Sequence, residues 1–161
     1  MKHIISALVE NKPGVLAHVA GMFAARAFNI DSLVVGRTED PELSRMTIVV
    51  VGDDKVLEQV RKQLAKIVPV VKVQDFAGKP VVARDLMLIN ISAMPEKRPE
   101  IFALIEIFKG TVVDIGPKQL LAEISGPEAK IEAFIEACKP YGIKGMARTG
   151  TIAMPRQTKE E

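Results

Sequence analysis

The order of strand and helix signals recurs along the chain, and this recurrence constrains the fold more than any single motif. Each half shows a β-forming apolar run, an amphipathic helix, two further runs, a second helix and a last run. The pattern predicts an α+β protein with two βαββαβ domains of the split β-α-β, ferredoxin-like type, each a four-stranded antiparallel sheet with helices on one face. Strands are predicted over residues 2–9, 30–37, 44–51, 70–75, 85–93, 111–115, 119–125 and 143–152, and helices over 14–27, 55–66, 99–109 and 127–139.

A short connector containing Gly78 and Pro80 separates the two repeats. It predicts a first domain over residues 1–76, a linker over 77–83 and a second domain over 84–161. The strand over 85–93 is apolar at most positions, so it is expected to be buried, and 154–161 are expected to form a frayed, charged tail.

The second and third predicted strands, over 30–37 and 44–51, carry more apolar residues than one covered sheet face needs. Some other surface must cover the remainder. The plain physical expectation is a homo-oligomer joined through the first domain.

Composition argues against several function classes. The 161 residues are 48% hydrophobic and carry a net charge of only +2, with 4% aromatic residues and no tryptophan. Neither half is strongly basic, so no nucleic-acid or membrane-surface partner is expected. No apolar run approaches the length of a membrane span and no leader is evident, so a cytoplasmic protein is expected. Cys138 is the single cysteine, and its helical spacing predicts a buried residue rather than a nucleophile.

The sequence offers no evident catalytic or metal-binding constellation. His3 and His18 are the only histidines, the carboxylates are scattered through loops and helix ends, and no phosphate-binding loop is present. We therefore expect no catalytic residues, no metal and no cofactor in this chain. An enzyme stays open as a rival class, whereas a nickel or copper site in the second domain lacks the necessary ligands.

A polar turn over residues 10–16 lies between the first strand and the first helix. Pro13 presets the backbone, Gly14 permits close approach of a ligand, and the first amides of a helix attract an anion. Asn11 and, after the helix, Asn29 could supply amide donors and acceptors, which together suit a free amino acid. The same residues are also typical of turns that bind nothing.

Two segments resemble the ligand-binding part of an ACT domain: VENKPGVL over residues 9–16 and FNIDSL over 28–33. The segment TEDPELSRMTI over 38–48 is more specific. It resembles the loop and third strand of the regulatory small subunit of acetohydroxyacid synthase, also called acetolactate synthase. IFKGTVVDI over 107–115 is typical of the same family, and the resemblance extends over about residues 1–152.

This resemblance implies a non-catalytic subunit that activates a thiamine-diphosphate-dependent large subunit and confers feedback inhibition in valine, leucine and isoleucine biosynthesis. It implies that thiamine diphosphate, FAD and magnesium belong to the large subunit, and that two ACT domains form a homodimer with an amino acid, usually valine, between them. One departure is the pair Phe102 and Ala103, where relatives are expected to be more polar. The implied ligand residues are Asn11, Gly14, Val15 and Leu16 of one subunit and Asn29 and Ile30 of its partner.

One alternative keeps the ACT domain but changes its role. A free-standing amino-acid sensor that controls another enzyme would carry the same turn. Control of transcription is disfavoured because no helix-turn-helix or basic recognition helix is apparent.

Overall fold

The computed structural model describes residues 1–157. Contacts divide the chain into two compact units: Met1–Val82 with the segment that begins at Thr151, and Ala83–Gly150. Each repeat builds an antiparallel sheet with two α-helices, so the predicted α+β class and βαββαβ order are confirmed. Whether residues 1–76 fold as an independent domain stays a prediction.

The first unit contains a four-stranded antiparallel sheet in the order β2-β3-β1-β4, so β2 and β4 are its edges. The edge strands β2 and β4 have the predicted bounds at both ends. Asn29 and Thr38 flank β2, and β4 lies between Pro69 and the connector that contains Gly78. The elements are β1 (Lys2–Glu10), α1 (Val15–Ala25), β2 (Ile30–Arg37), β3 (Leu43–Val51), α2 (Asp54–Ala65) and β4 (Val70–Asp75).

Alternate residues of β1 and β3 point toward the two helices and form the first core. Burying a large aliphatic or aromatic side chain stabilises a fold by about 1.5–3 kcal/mol. The buried members are Ile5, Ala7, Val9, Met46, Ile48 and Val50 of the strands and Val15, Val19, Met22, Phe23, Leu57, Val60 and Leu64 of the helices.

The opposite face of this sheet is partly buried in the single chain. Thr47 and Val49 have 3% and 4% of their surface exposed, although their register places them away from the helices. The segment that begins at Thr151 returns to this unit, where the Thr151 N–H donates to Ser32 Oγ at 2.9 Å. Only part of the apolar excess on this face therefore remains for an oligomer to cover, including Val51, which is 42% exposed.

The second repeat has the strand order β6-β7-β5-β8, with β9 pairing β5 in addition. Its core again lies between the sheet and the two helices. Pro127 precedes the last helix in an extended conformation, instead of occupying its first position as predicted. The elements are β5 (Val81–Ser92), α3 (Arg98–Ile107), β6 (Thr111–Ile115), β7 (Gln119–Gly126), α4 (Glu128–Cys138), β8 (Ile143–Arg148) and β9 (Ile152–Pro155).

The fifth strand, which was predicted to be buried because most of its positions are apolar, is buried on one face only. Met87 and Ile89 are fully buried against the helices, whereas Leu86 and Leu88 are 37% and 38% exposed on the other face. The strand alternates in burial although it does not alternate in hydrophobicity. It also begins at Val81, inside the predicted linker.

The single predicted strand over 143–152 is two strands, and β9 includes residues 154 and 155, which were predicted to fray. The break has a local cause. The buried Asp85 carboxylate accepts hydrogen bonds from the Arg148 guanidinium, the Thr149 hydroxyl and the Gly150 N–H. Gly150 has φ 88°, a conformation that favours glycine. The rest of the predicted tail, 158–161, lies outside the described residues.

Candidate functional site

Helix α1 begins at a glycine that no ordinary residue replaces without strain. Gly14 caps the helix with φ 84° and ψ −11°, in the left-handed region. A Cβ built at this position would meet no heavy atom within 4 Å. The backbone conformation therefore favours glycine, and the space beside it is open.

The first turn of α1 leaves backbone donors unused. Unlike α2, whose cap Asp53 accepts from the Val56 N–H at 2.9 Å, α1 has no side-chain cap and no acidic residue in its first turn. The Leu16 and Ala17 N–H groups have no acceptor in the described part of the chain. Because these N–H groups lie at the positive end of the helix dipole, they can bind a carboxylate.

Asn11 lies at the end of β1 and is held in one orientation. Its backbone N–H donates to Glu42 O at 2.7 Å, and its side-chain Nδ2 donates to Pro41 O at 3.0 Å. A carbonyl oxygen only accepts, so the NH₂ group must face Pro41 and Oδ1 must point elsewhere. That Oδ1 has no donor within residues 1–157 and can accept a hydrogen bond from a ligand.

The loop over residues 38–42 holds Asn11 in place. It belongs to the segment over 38–48 whose sequence is the more specific one. Thr38 and Asp40 close the loop through their side chains: the Thr38 hydroxyl donates to Asp40 O at 3.0 Å, and the Asp40 carboxylate accepts from the Glu42 N–H at 3.0 Å. No role at the site was predicted for this loop from the sequence. The turn-forming pattern of Thr38, Asp40 and Pro41 was the available signal.

The other predicted site residues occupy different environments. Val15 belongs to the core at 6% exposure, so only its backbone can face a ligand, whereas the Leu16 side chain is 46% exposed. Ile30 packs partly against the core, and Asn29 is exposed, with no side-chain hydrogen bond in the described chain. Leu16 and Asn29 are therefore free to contact a ligand through their side chains.

One chain does not bring the two groups of predicted site residues together. Glu10, which precedes the turn, pairs with Leu43 at one end of β3, whereas Ile30 pairs with Val50 near the other end. Seven residue steps along β3 separate these positions, which corresponds to about 23 Å. Asn11, Gly14 and Leu16 thus lie at the opposite end of the sheet from Asn29 and Ile30.

Two surface clefts of the first unit lie away from these residues. One cleft of about 410 Å³ lies between α2 and β4, and another of about 380 Å³ is lined by both helices. Neither is lined by Asn11, Gly14 or Asn29. The turn at Gly14 is an open half-site rather than an enclosed pocket.

The cysteine and the two histidines differ in burial. Cys138 is fully buried, as predicted, and burial raises the pKa of its thiol to about 11. His3 is buried and its Nε2 lies 3.1 Å from Gly52 O, while His18 is exposed on α1.

Within residues 1–157, no group of three or more His, Cys, Asp or Glu side chains is placed to hold a metal ion. Among the described helices, none has the length and apolarity to cross a membrane.

Comparisons with known proteins match both halves of the chain. The family model of the AHAS small subunit-like ACT domain matches residues 5–72, and that of the small subunit of acetolactate synthase matches residues 84–157. A probable acetolactate synthase small subunit of Archaeoglobus fulgidus is 54% identical over 99% of this chain and 100% of its own length. The acetolactate synthase small subunit of Bacillus subtilis is 44% identical over 100% of this chain and 94% of its own length.

A solved structure agrees with these sequence relatives. The crystal structure of the acetolactate synthase small subunit from Thermotoga maritima matches with a TM-score of 0.91 and 44% identity, covering 98% of this chain and 99% of that one. The resemblance to the regulatory small subunit is therefore confirmed, as is the prediction of an ACT domain. This chain belongs to the family of acetolactate synthase small subunits, ACT-domain proteins with a regulatory role in branched-chain amino acid biosynthesis.

Proposed function

We propose that this chain activates the thiamine-diphosphate-dependent large subunit of acetolactate synthase and makes it sensitive to a branched-chain amino acid, with valine as the first candidate. One observation carries the amino-acid part of the proposal. The uncapped start of α1 at Gly14 offers free N–H groups a few residues from the unpaired Oδ1 of Asn11. A donor set for a carboxylate and an acceptor for an ammonium group thus lie on one turn.

In the proposed complex, the ligand carboxylate accepts from the Leu16 N–H, and the ammonium donates to Asn11 Oδ1. Charge-assisted hydrogen bonds of this kind contribute about 1.5–3 kcal/mol each. The exposed Leu16 side chain offers apolar surface to an aliphatic side chain of the ligand. Asn29 and Ile30 of a second subunit complete the pocket.

The strand order supports a two-subunit site. β2 is an edge strand, with one row of backbone groups unpaired in the single chain. If two copies pair antiparallel through β2 around a two-fold axis, the Ile30 end of one strand lies beside the Arg37 end of the other. Arg37 pairs with Ser44, next to the end of β1 where the turn at Gly14 begins. Such a homodimer brings Asn29 of one copy toward Gly14 of the other.

The proposal leaves the chemistry of acetolactate formation to the large subunit, together with thiamine diphosphate, FAD and magnesium. In the described chain, the carboxylates that form ion pairs do so largely on exposed surfaces, and Cys138 is buried and protonated at neutral pH. We therefore expect no acetolactate-forming activity from this chain alone. Its location in the cytoplasm, beside the large subunit, stays a prediction.

The test is reconstitution with the large subunit. We expect the two chains to co-purify, this chain to raise the rate of acetolactate formation, and valine to lower that rate only when this chain is present. Turnover by this chain alone would contradict the non-catalytic role. Valine binding without any association with the large subunit would instead favour the free-standing sensor.

A further inference from the structure

We propose that Asp40 is a positioning residue that orients Asn11 toward the ammonium group of the amino acid. This inference rests on the proposed function, because it concerns how the same site tells an amino acid from a simple carboxylic acid. Asp40 does not touch the ligand in this scheme. It acts through one peptide group and the Asn11 side chain.

The peptide between Pro41 and Glu42 is the connecting element. Its N–H donates to Asp40 Oδ1 at 3.0 Å, and its C=O accepts from Asn11 Nδ2 at 3.0 Å. The C=O and N–H of a trans peptide point in opposite directions. The carboxylate on one side of this peptide therefore fixes where the carbonyl on the other side points.

The hydrogen bonds that connect the ligand, Asn11, the 41–42 peptide and Asp40 form a row, and all of them run in the same direction. The ligand ammonium would donate to Asn11 Oδ1, Asn11 Nδ2 donates to the Pro41 carbonyl, and the Glu42 N–H donates to the Asp40 carboxylate. Hydrogen bonds aligned in this way polarise one another, so the negative charge of Asp40 strengthens Asn11 Oδ1 as an acceptor. A row that ends in a carboxylate suits a cation at its other end.

The remaining loop contacts keep Asp40 itself in place. The Thr38 hydroxyl accepts from the Asp40 N–H at 3.1 Å and donates to the Asp40 carbonyl at 3.0 Å. Leu43 N–H donates to the same carbonyl at 3.0 Å, and Thr38 N–H donates to Leu43 O at 3.0 Å. These hydrogen bonds hold the loop against the start of β3. They therefore also fix the orientation of the 41–42 peptide.

The experiment compares two probes on the full-length chain: valine, and 3-methylbutanoate, which lacks the ammonium group but keeps the carboxylate and the branched carbon chain. NMR titration of the Leu16 amide signal follows both, because it measures millimolar affinities as well as tighter ones. The variants are Asp40→Ala, which removes the acceptor, and Asp40→Asn, which keeps an oxygen acceptor without the charge. Glu39→Gln removes an equal charge from the same loop without entering the row of hydrogen bonds, and serves as control.

We expect Asp40→Ala to weaken valine binding about three- to tenfold while 3-methylbutanoate binding stays the same. Asp40→Asn should recover part of the loss, and Glu39→Gln should match the parent chain. Equal losses for both probes, or no loss for valine, would overturn the positioning role and leave the proposed function standing. If the parent chain binds no valine, the proposed function fails and this inference fails with it.

Discussion

The two repeats share a fold, but the contacts at the start of their first helix differ. In the first unit, α1 begins at the left-handed Gly14, with unused N–H groups and open space. In the second unit, a 3₁₀ turn leads into α3, and the guanidinium of Arg98 donates to Ala93 O at 3.2 Å, Gly116 O at 2.7 Å and Pro117 O at 2.9 Å. Neither helix has a side-chain cap, but Gly14 borders open space, whereas Arg98 joins the start of α3 to neighbouring loops of its own chain.

We infer from this difference that the βαββαβ framework sets where a site can be, whereas turn residues decide whether it exists. The second helix start also has Glu100 in its first turn, and the Lys97 ammonium lies 3.4 Å from the Glu100 carboxylate. An acidic residue there opposes a ligand carboxylate. Valine binding should therefore be confined to the first unit, and each prediction below tests one side of this contrast.

The largest effect is expected from Gly14→Asp. The new carboxylate would lie where the ligand carboxylate binds, and two like charges on a partly desolvated turn repel each other. Valine affinity should fall about hundredfold or more, measured by calorimetry, which corresponds to about 3 kcal/mol. Activation of the large subunit should persist.

Gly14→Asn is the matched control, because asparagine has the shape of aspartate without its charge and tolerates the left-handed conformation. It should lose distinctly less affinity than Gly14→Asp. If both variants bind valine as the parent chain does, the open turn at Gly14 is not the site. If both unfold, the glycine is needed only for the turn.

The second prediction concerns Asn29 and the number of subunits at the site. Asn29→Ala should weaken valine binding about ten- to hundredfold, since one or two hydrogen bonds to a charged ligand are lost. Because the Asn29 side chain is exposed and unbonded in the described chain, its removal should leave the melting temperature unchanged.

Mixing the two variants sharpens this prediction. A heterodimer of Gly14→Asp and Asn29→Ala chains would carry both changes at one site and neither at the other. Mixed and re-annealed samples should therefore regain a fraction of tight valine sites that neither variant shows alone. A site within one chain would give no recovery on mixing, so that result would contradict the two-subunit model.

The third prediction addresses the start of α3 in the second unit, which Arg98 joins to neighbouring loops. Arg98→Ala should lower the free energy of unfolding by about 2 kcal/mol, because three carbonyls lose a charged donor. Arg98→Lys should recover only part of this loss, since one ammonium cannot reproduce the fork geometry of a guanidinium. Urea titration measures both. A gain of valine binding at this helix start would contradict the proposed restriction to the first unit.

The sequence predicted those features that local residues decide. β2, β4 and β6 have their predicted bounds because turn-forming residues such as Asn29, Pro69 and Gly116 lie beside short apolar runs. The turn at Gly14 was found for the same reason: its chemistry is contained in adjacent residues. The Asn11 orientation was not found, because it depends on Pro41, thirty positions away.

The errors have a common physical origin in long-range contacts. Leu86 and Leu88 are as apolar as their buried neighbours, and only the sheet decides which face the helices cover. The break before β9 depends on Asp85, which lies about sixty residues from the chain segment that it holds. Hydrophobic periodicity does not reveal either effect, because it is evaluated over one short window of the sequence at a time.

The smallest effect is expected at the capped helix of the first unit. Asp53→Ala removes the side chain that accepts from the Val56 N–H, and loss of such a cap costs about 1 kcal/mol. Asp54→Asn removes an equal charge one residue later without removing the cap, so it separates the hydrogen bond from the dipole interaction, which contributes about 0.3–1 kcal/mol. Urea titration should show the larger loss for Asp53→Ala, while valine affinity stays the same in both variants. A loss of valine affinity in Asp53→Ala would mean that α2 contributes to the site, and the contrast between an open and a capped helix within one domain would then be wrong.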